Sequence, residues 1–194
     1  MNDKRAMSAE NATDVDLLSR IVRKDRLALR SFFARYHMRL FRYLVRLTQN
    51  DALAEEIVNE VFLNVWRKAD SFKGQSAVSS WVFSIAHNRA ISELRKRKEM
   101  PLDEATALAI EDDADTPETV SLKADKATAI RRCLDGLSTD HREVIDLVYY
   151  QDKSVKEVAE IVGIPENTVK TRMFHARQKL SILMGEAGID RGWP

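Results

Sequence analysis

Asn167, Lys170, Thr171, Phe174 and His175 lie on one side of the stretch NTVKTRMFHARQKL and gather an amide, a cation, a hydroxyl, an aromatic ring and an imidazole at helical spacing. Groups of these kinds contact base edges, thymine methyls and phosphates. The other side of the stretch repeats Val169, Met173, Ala176 and Leu180, a stripe to bury. Just upstream, Ser154 and Glu157 fit a capping box, Gly163 can take the positive φ that ends a helix, and Pro165 suits the first turn of the next. Val155, Val158, Ala159 and Val162 share one face of the helix between them. Residues 154–180 therefore predict two helices joined by a tight turn, the outline of a DNA-reading helix-turn-helix. Apolar spacing alone fits an ordinary helical hairpin equally well. Small Ala159, then Gly163, then apolar Ile164, at the offsets such motifs use, favour DNA.

A second constellation lies in SFKGQSAVSSWVFSIAHNRAISELRKRK, residues 71–98, where a polar loop precedes a helix carrying Trp81, Phe83, Asn88 and Arg89 and ending in Arg95 to Lys98. Aromatics, amides and cations together suit unpaired bases, which offer a stackable face and a phosphate to neutralise. Taken singly, Trp81 also reads as core and the basic run as a solvated helix end. Before it, DALAEEIVNEVFLNVWRKA sets Glu55, Glu56, Asn59 and Glu60 beside Ile57, Val61, Phe62 and Trp66. Such a flank can dock on a basic partner protein, and a plain amphipathic bundle helix explains the same letters.

Enzymatic and metal chemistry find little to work with. The four histidines show no HxxxH or HExxH pairing, and the chain has no glycine-rich phosphate loop and no nucleophile elbow. Cys133 is the single cysteine, which excludes an internal disulfide framework and reads as core packing. No catalytic residue, metal or cofactor is expected. With 194 residues, 44% hydrophobic, no apolar run near the ~20 residues a bilayer needs and no signal-like start, a cytoplasmic protein without membrane insertion is expected. The formal net charge of +1 conceals a division: residues 1–98 carry +8, residues 99–120 carry −8 and the remainder +1.

These patterns place the chemistry on an all-α fold of two small helical domains. The first domain, residues 1–98, should hold helices near 14–24, 26–48, 51–69 and 77–98, with Phe33, Leu40, Leu44, Leu47, Ile57, Val61, Val65, Val82, Ile85 and Ile91 at core-like spacing. The acidic, proline-containing segment 99–120 reads as a linker with one short helical stretch near 102–110. The second domain, residues 121–194, should hold helices near 121–134 and 138–150 and then the helix-turn-helix, with Gly136 and Ser138 as stop and new cap.

Taken in order, AEEIVNEVFLNVWRKADSFKG, SSWVFSIAHNRAISELRKRK and LSTDHREVIDLVYYQDKSVKEVAEIVGIPENTVKTRMFHARQKL resemble the extracytoplasmic-function (ECF) class of bacterial sigma factors, over nearly the whole chain. The resemblance implies sigma regions 2 and 4 as the two domains, and a non-enzymatic, stress- or envelope-responsive initiation factor held silent by an anti-sigma factor. It implies that Glu56, Asn59, Glu60 and Phe62 meet the clamp helices of core RNA polymerase. Phe72 and Lys73 in the loop, with Trp81, Asn88 and Arg89, would melt the minus-ten element and hold single-stranded bases. Region 4 would read the duplex minus-thirty-five element through the five residues named first and touch the polymerase flap. The chain departs from the pattern at His175, where relatives commonly carry arginine, so a bidentate guanine contact is missing there. An operator-binding repressor would need a dimerisation device and would have no use for the single-strand surface. A protein-interaction module with an incidental basic face is the alternative from another class.

Overall fold

The computed structural model describes residues 2–99 and 121–189, and these form eight α-helices with no strand among the described residues. The acidic segment from residue 100 to 120, with the short helix expected near 102–110, and the tail carrying Trp193 lie outside the described residues. Helices α1 (Asn2–Val22), α2 (Arg26–Thr48), α3 (Asp51–Lys68) and α4 (Val78–Glu99) make the first bundle, with a 3-10 turn at Ala69–Ser71. Helices α5 (Ser121–Asp135), α6 (Thr139–Tyr149), α7 (Val155–Val162) and α8 (Glu166–Glu186) make the second.

Local chemistry sets most boundaries. The Asp25 carboxylate accepts from the amides of Leu27 and Ala28 to open α2, and Gln49, at φ +52°, closes it. Asn50 caps α3 by accepting from Leu53. Ser138 caps α6 by accepting from His141. The first amide of α4 is served from elsewhere in the chain: Val78 N donates to Asn11 Oδ1 on α1 at 2.9 Å. Buried Asp14 accepts from Arg35 and Tyr36, tying α1 to α2.

Helical phase corrects part of the expected core. Phe32 and Tyr36 are fully buried, whereas Phe33 is 40% exposed, and on α4 the interior is Val82, Phe83, Ala86 and Ala90 while Ile91 lies at the surface. In α7 the deepest side chains are Val158 and Ile161, with Val155, Ala159 and Val162 only partly covered. The cause is that α7 is wedged between α8 and α4 and has to bury two sides.

That wedge joins the two bundles. One apolar cluster runs from α1–α4 through Val144, Leu147, Val158, Ile161, Val169 and Met173, while Cys133, Leu134, Leu137, Ile145, Ala176 and Leu180 form a smaller core of their own. Buried polar contacts line the seam. Tyr43 donates to Glu143 Oε1 at 2.5 Å, and His87 Nδ1 lies 2.6 Å from the same oxygen. Arg46 pairs with Asp146, Ser80 donates to Glu157 Oε1 at 3.0 Å, and Lys153 donates to Ser79. Each of these polar groups leaves water only because a partner awaits it.

Candidate nucleic-acid interface

The candidate for the upstream reader is α8. Ser154 and Glu157 form the capping box of α7: the hydroxyl accepts from the Glu157 amide, and Glu157 Oε2 accepts from the Ser154 amide at 3.0 Å. Burial alone would raise the Glu157 pKa, but the Ser154 amide, the Lys153 charge and the Ser80 hydroxyl outweigh it, and the carboxyl is held below its ordinary value. Gly163, at φ +73°, turns the chain, and Pro165 stands at the N-cap of α8. Val169, Met173, Ala176 and Leu180 face inward. Asn167, Lys170, Thr171, Phe174 and His175 are all exposed, Phe174 at 52%, with its ring 5.4 Å from that of His175. The Thr171 hydroxyl donates back to the Asn167 carbonyl at 3.0 Å. Arg172, outside the set expected from the sequence, pairs with Asp140 at 2.6 Å and ties α8 to α6.

The downstream surface is built on α4 and the loop before it. Phe72 and Trp81 meet at 5.5 Å, both half-buried, while Lys73 is exposed beside Gly74, whose φ is +69°. Trp81, Ile85, Asn88, Arg89 and Ser92 follow one another at helical spacing along one side of α4. Opposite them stands α3, and a groove of about 690 Å³ between the two helices is lined by Glu60, Asn64, Arg67, Ile85, Asn88, Arg89 and others. Asn88 is open to solvent. Arg89 is engaged: Nη2 donates to Glu60 Oε1 at 2.8 Å and lies 3.1 Å from Glu93. The Glu60 hydrogen bond is the main reason its pKa is raised.

Along the exposed flank of α3, Glu56 and Asn59 are exposed and Glu60, at the rim of that groove, is half-exposed. Phe62 shows only 7% of its surface, packing near Phe32 and Phe33, and meets solvent through a second groove of about 640 Å³ shared with Arg26, Leu29, Asn59, Leu63 and Trp66. Leu63, 51% exposed, is the apolar side chain that this face presents. Its place one turn after Asn59 was the available signal, as Asn64's place one turn after Glu60 was for the first groove. The structure thus brings Glu60 and Arg89 into contact and keeps the α8 set apart from both. Among the described residues no cluster could hold a metal ion, and no helix is long and apolar enough to cross a membrane.

Comparison with known proteins accounts for both halves. Residues 32–100 match the family Sigma-70 region 2, and residues 127–180 match Sigma-70, region 4. The ECF RNA polymerase sigma factor SigL of Mycobacterium tuberculosis is 32% identical over 165 residues, covering 84% of this chain and 92% of the relative. The ECF RNA polymerase sigma-E factor of Haemophilus influenzae is 29% identical over 184 residues, covering 89% and 95%. Among solved structures, the sigma factor RpoE of Bartonella quintana, in complex with the anti-sigma factor NepR, superposes with a TM-score of 0.64 at 28% identity, over 84% of this chain and 98% of that one. CnrH, in complex with the cytosolic domain of CnrY, shares the fold with a TM-score of 0.66 at 21% identity, over 90% and 98%. A chain that matches both sigma regions in order, and that is 32% identical to an ECF sigma factor over 84% of its length, belongs to the ECF sigma factors of RNA polymerase, a family of transcription initiation factors.

Proposed function

We propose that this chain docks on the clamp helices of core RNA polymerase through Glu56, Asn59, Glu60 and the Phe62 groove, and on the flap through its second domain. Trp81, Asn88 and Arg89, with Phe72 and Lys73 of the loop, hold the melted minus-ten strand, and the exposed set on α8 reads the minus-thirty-five duplex. The groove between α3 and α4 carries the reading: it gathers the Asn88 amide and the cations Arg67, Lys68 and Arg89, and the Phe72–Trp81 ring pair lies further back toward the start of α4. Strand opening draws its free energy from captured bases and salt-dependent phosphate contacts. The division of charge fits two surfaces: a basic first domain for DNA beside the acidic segment 99–120, the proposed linker between domains bounded at 98 and 121. Control by an anti-sigma factor is part of the proposal, supported by the Bartonella relative captured with NepR. The chain works in the cytoplasm, where its polymerase is, and answers an envelope or stress signal.

The test is to add purified chain to core polymerase with a promoter library and sequence the transcripts. Core-dependent initiation from promoters sharing two boxes is expected, and no such initiation overturns the proposal. Asn88→Ala should lower initiation at least tenfold while leaving binding of the full chain to upstream duplex unchanged. Equal loss in both assays removes Asn88 from the downstream face.

A further inference from the structure

Two side chains assigned to different partners are in this structure partners of each other. Glu60 belongs to the α3 face turned toward polymerase, and Arg89 to the α4 face turned toward DNA. Across the groove they form a two-pronged ion pair, Nη2 to Oε1 at 2.8 Å and Nε beside Oε2, and Glu93 supports the guanidinium from one turn further along α4. An arginine so engaged has few donors left for a phosphate. Yet the pair is not sealed: the Arg89 and Glu60 side chains remain 36% and 38% exposed, so an incoming partner can reach either. Ion pairs with this much solvent access are weak enough to be exchanged. Arg67 and Lys68 at the end of α3 line the same groove, so removing the Glu60 charge leaves a more cationic channel.

We propose that Glu60 keeps Arg89 in reserve: when a cationic side chain of core polymerase takes the Glu60 carboxylate, Arg89 is released to a phosphate of the strand lying in the α3–α4 groove. The inference rests on the reading that α3 meets polymerase and α4 meets DNA. Arg89 is then a positioning residue in the free chain and a DNA contact only in the assembly. The exchange couples the two binding events, and by linkage DNA in the groove strengthens the polymerase contact at Glu60 by the same factor.

The experiment uses the full-length chain without polymerase and a fluorescent mixed-sequence 20-nucleotide single strand, with anisotropy followed across salt. Glu60→Gln with Glu93→Gln should raise affinity about threefold and steepen log K against log salt by about 0.7, the signature of one added phosphate contact on a single strand. Adding Arg89→Ala to that double variant should abolish the gain, whereas Arg89→Ala alone should change the free chain little. Glu55→Gln with Asp70→Asn, two exposed acids removed elsewhere in the first domain, controls for bulk charge and should leave the slope unaltered. A slope unaffected by Glu60→Gln/Glu93→Gln, or equally steepened by the control, overturns the proposal. Glu60→Arg with Arg89→Glu should restore the melting temperature of the free chain lost by either single change but not DNA binding in holoenzyme, which a merely structural strap would recover. Because the first readout needs no polymerase, its failure alongside normal core-dependent initiation by wild type would reject this exchange and leave the sigma reading intact.

Discussion

Asp146 shows how one buried carboxylate ties the seam to pH. Burial pushes its pKa up from 3.8 to about 6, against the pull of Arg46 and of the Gln151 side chain. Because the folded state holds its proton more tightly than the unfolded chain does, Asp146 favours folding most below about pH 3.8, and that contribution is lost as pH rises through about 6. Two pKa units correspond to about 3 kcal/mol. Urea unfolding of wild type and Asp146→Asn should therefore differ by an amount that shifts about 2.4 kcal/mol toward wild type between pH 7 and pH 4. A pH-independent difference would show that Asp146 keeps an ordinary pKa. The same residue marks a limit of sequence reading. In TDHREVIDLVYY, Glu143 and Asp146 look like the wet side of a helix, yet both are buried. Their partners Tyr43, His87 and Arg46 lie 56 to 100 residues away in the chain, so no local pattern announces them.

At the scale of elements, the helix-turn-helix was legible because its determinants are local. Ser154, Glu157, Gly163 and Pro165 each act on backbone within a few residues; the first three do in the structure what their types imply, and Pro165 stands one residue earlier than expected, at the N-cap of α8 instead of in its first turn. Ser154→Ala should cost about 1 kcal/mol through the lost cap. Gly163→Ala should cost a similar ~1 kcal/mol through the left-handed φ alone, since an added Cβ meets nothing within 4 Å. Each should lower the melting temperature by roughly 2–4 °C in a chain of this size, and Gly163→Asn should recover part of the second loss. No recovery by asparagine would mean that the turn needs more than its φ. Core phase was less legible. Phe32 and Phe33 are adjacent phenylalanines on a helix with apolar residues on several sides, and the 100° step between them decided which went inside. Tyr36 continues the buried face one turn beyond Phe32, while Phe62 of α3 approaches both rings across space.

The two described bundles are closed on each other, and the promoter contacts proposed above require them to part. Elements named for positions −10 and −35 lie about 85 Å apart at 3.4 Å per base pair. A compact chain of this length has a radius of gyration of roughly 16 Å, so α4 and α8 cannot reach both while the seam holds. Glu143→Ala with Asp146→Ala strips the buried carboxylates from the seam and leaves the Tyr43 hydroxyl without its acceptor unless the bundles part. X-ray scattering should show the radius of gyration of this variant rising by several ångströms with helical content unchanged. An unaltered radius would mean that the apolar wedge of α7 closes the molecule by itself.

Helix α4 shows how little of this protein is free to drift. One side, with Val82, Ala86 and Ala90, fills the first bundle; a second, with Ser80, Phe83 and His87, meets the other bundle; a third, with Ile85, Asn88 and Arg89, lines the groove. Nearly every substitution before residue 91 is thus tried by more than one neighbour at once. In a library of variants, tolerance on this helix should gather at its exposed end, residues 95–97. If α4 reads the promoter as proposed, a new preference has only narrow ground on this helix: Asn88 and Ser92, where a side chain can change without disturbing the core or the closure.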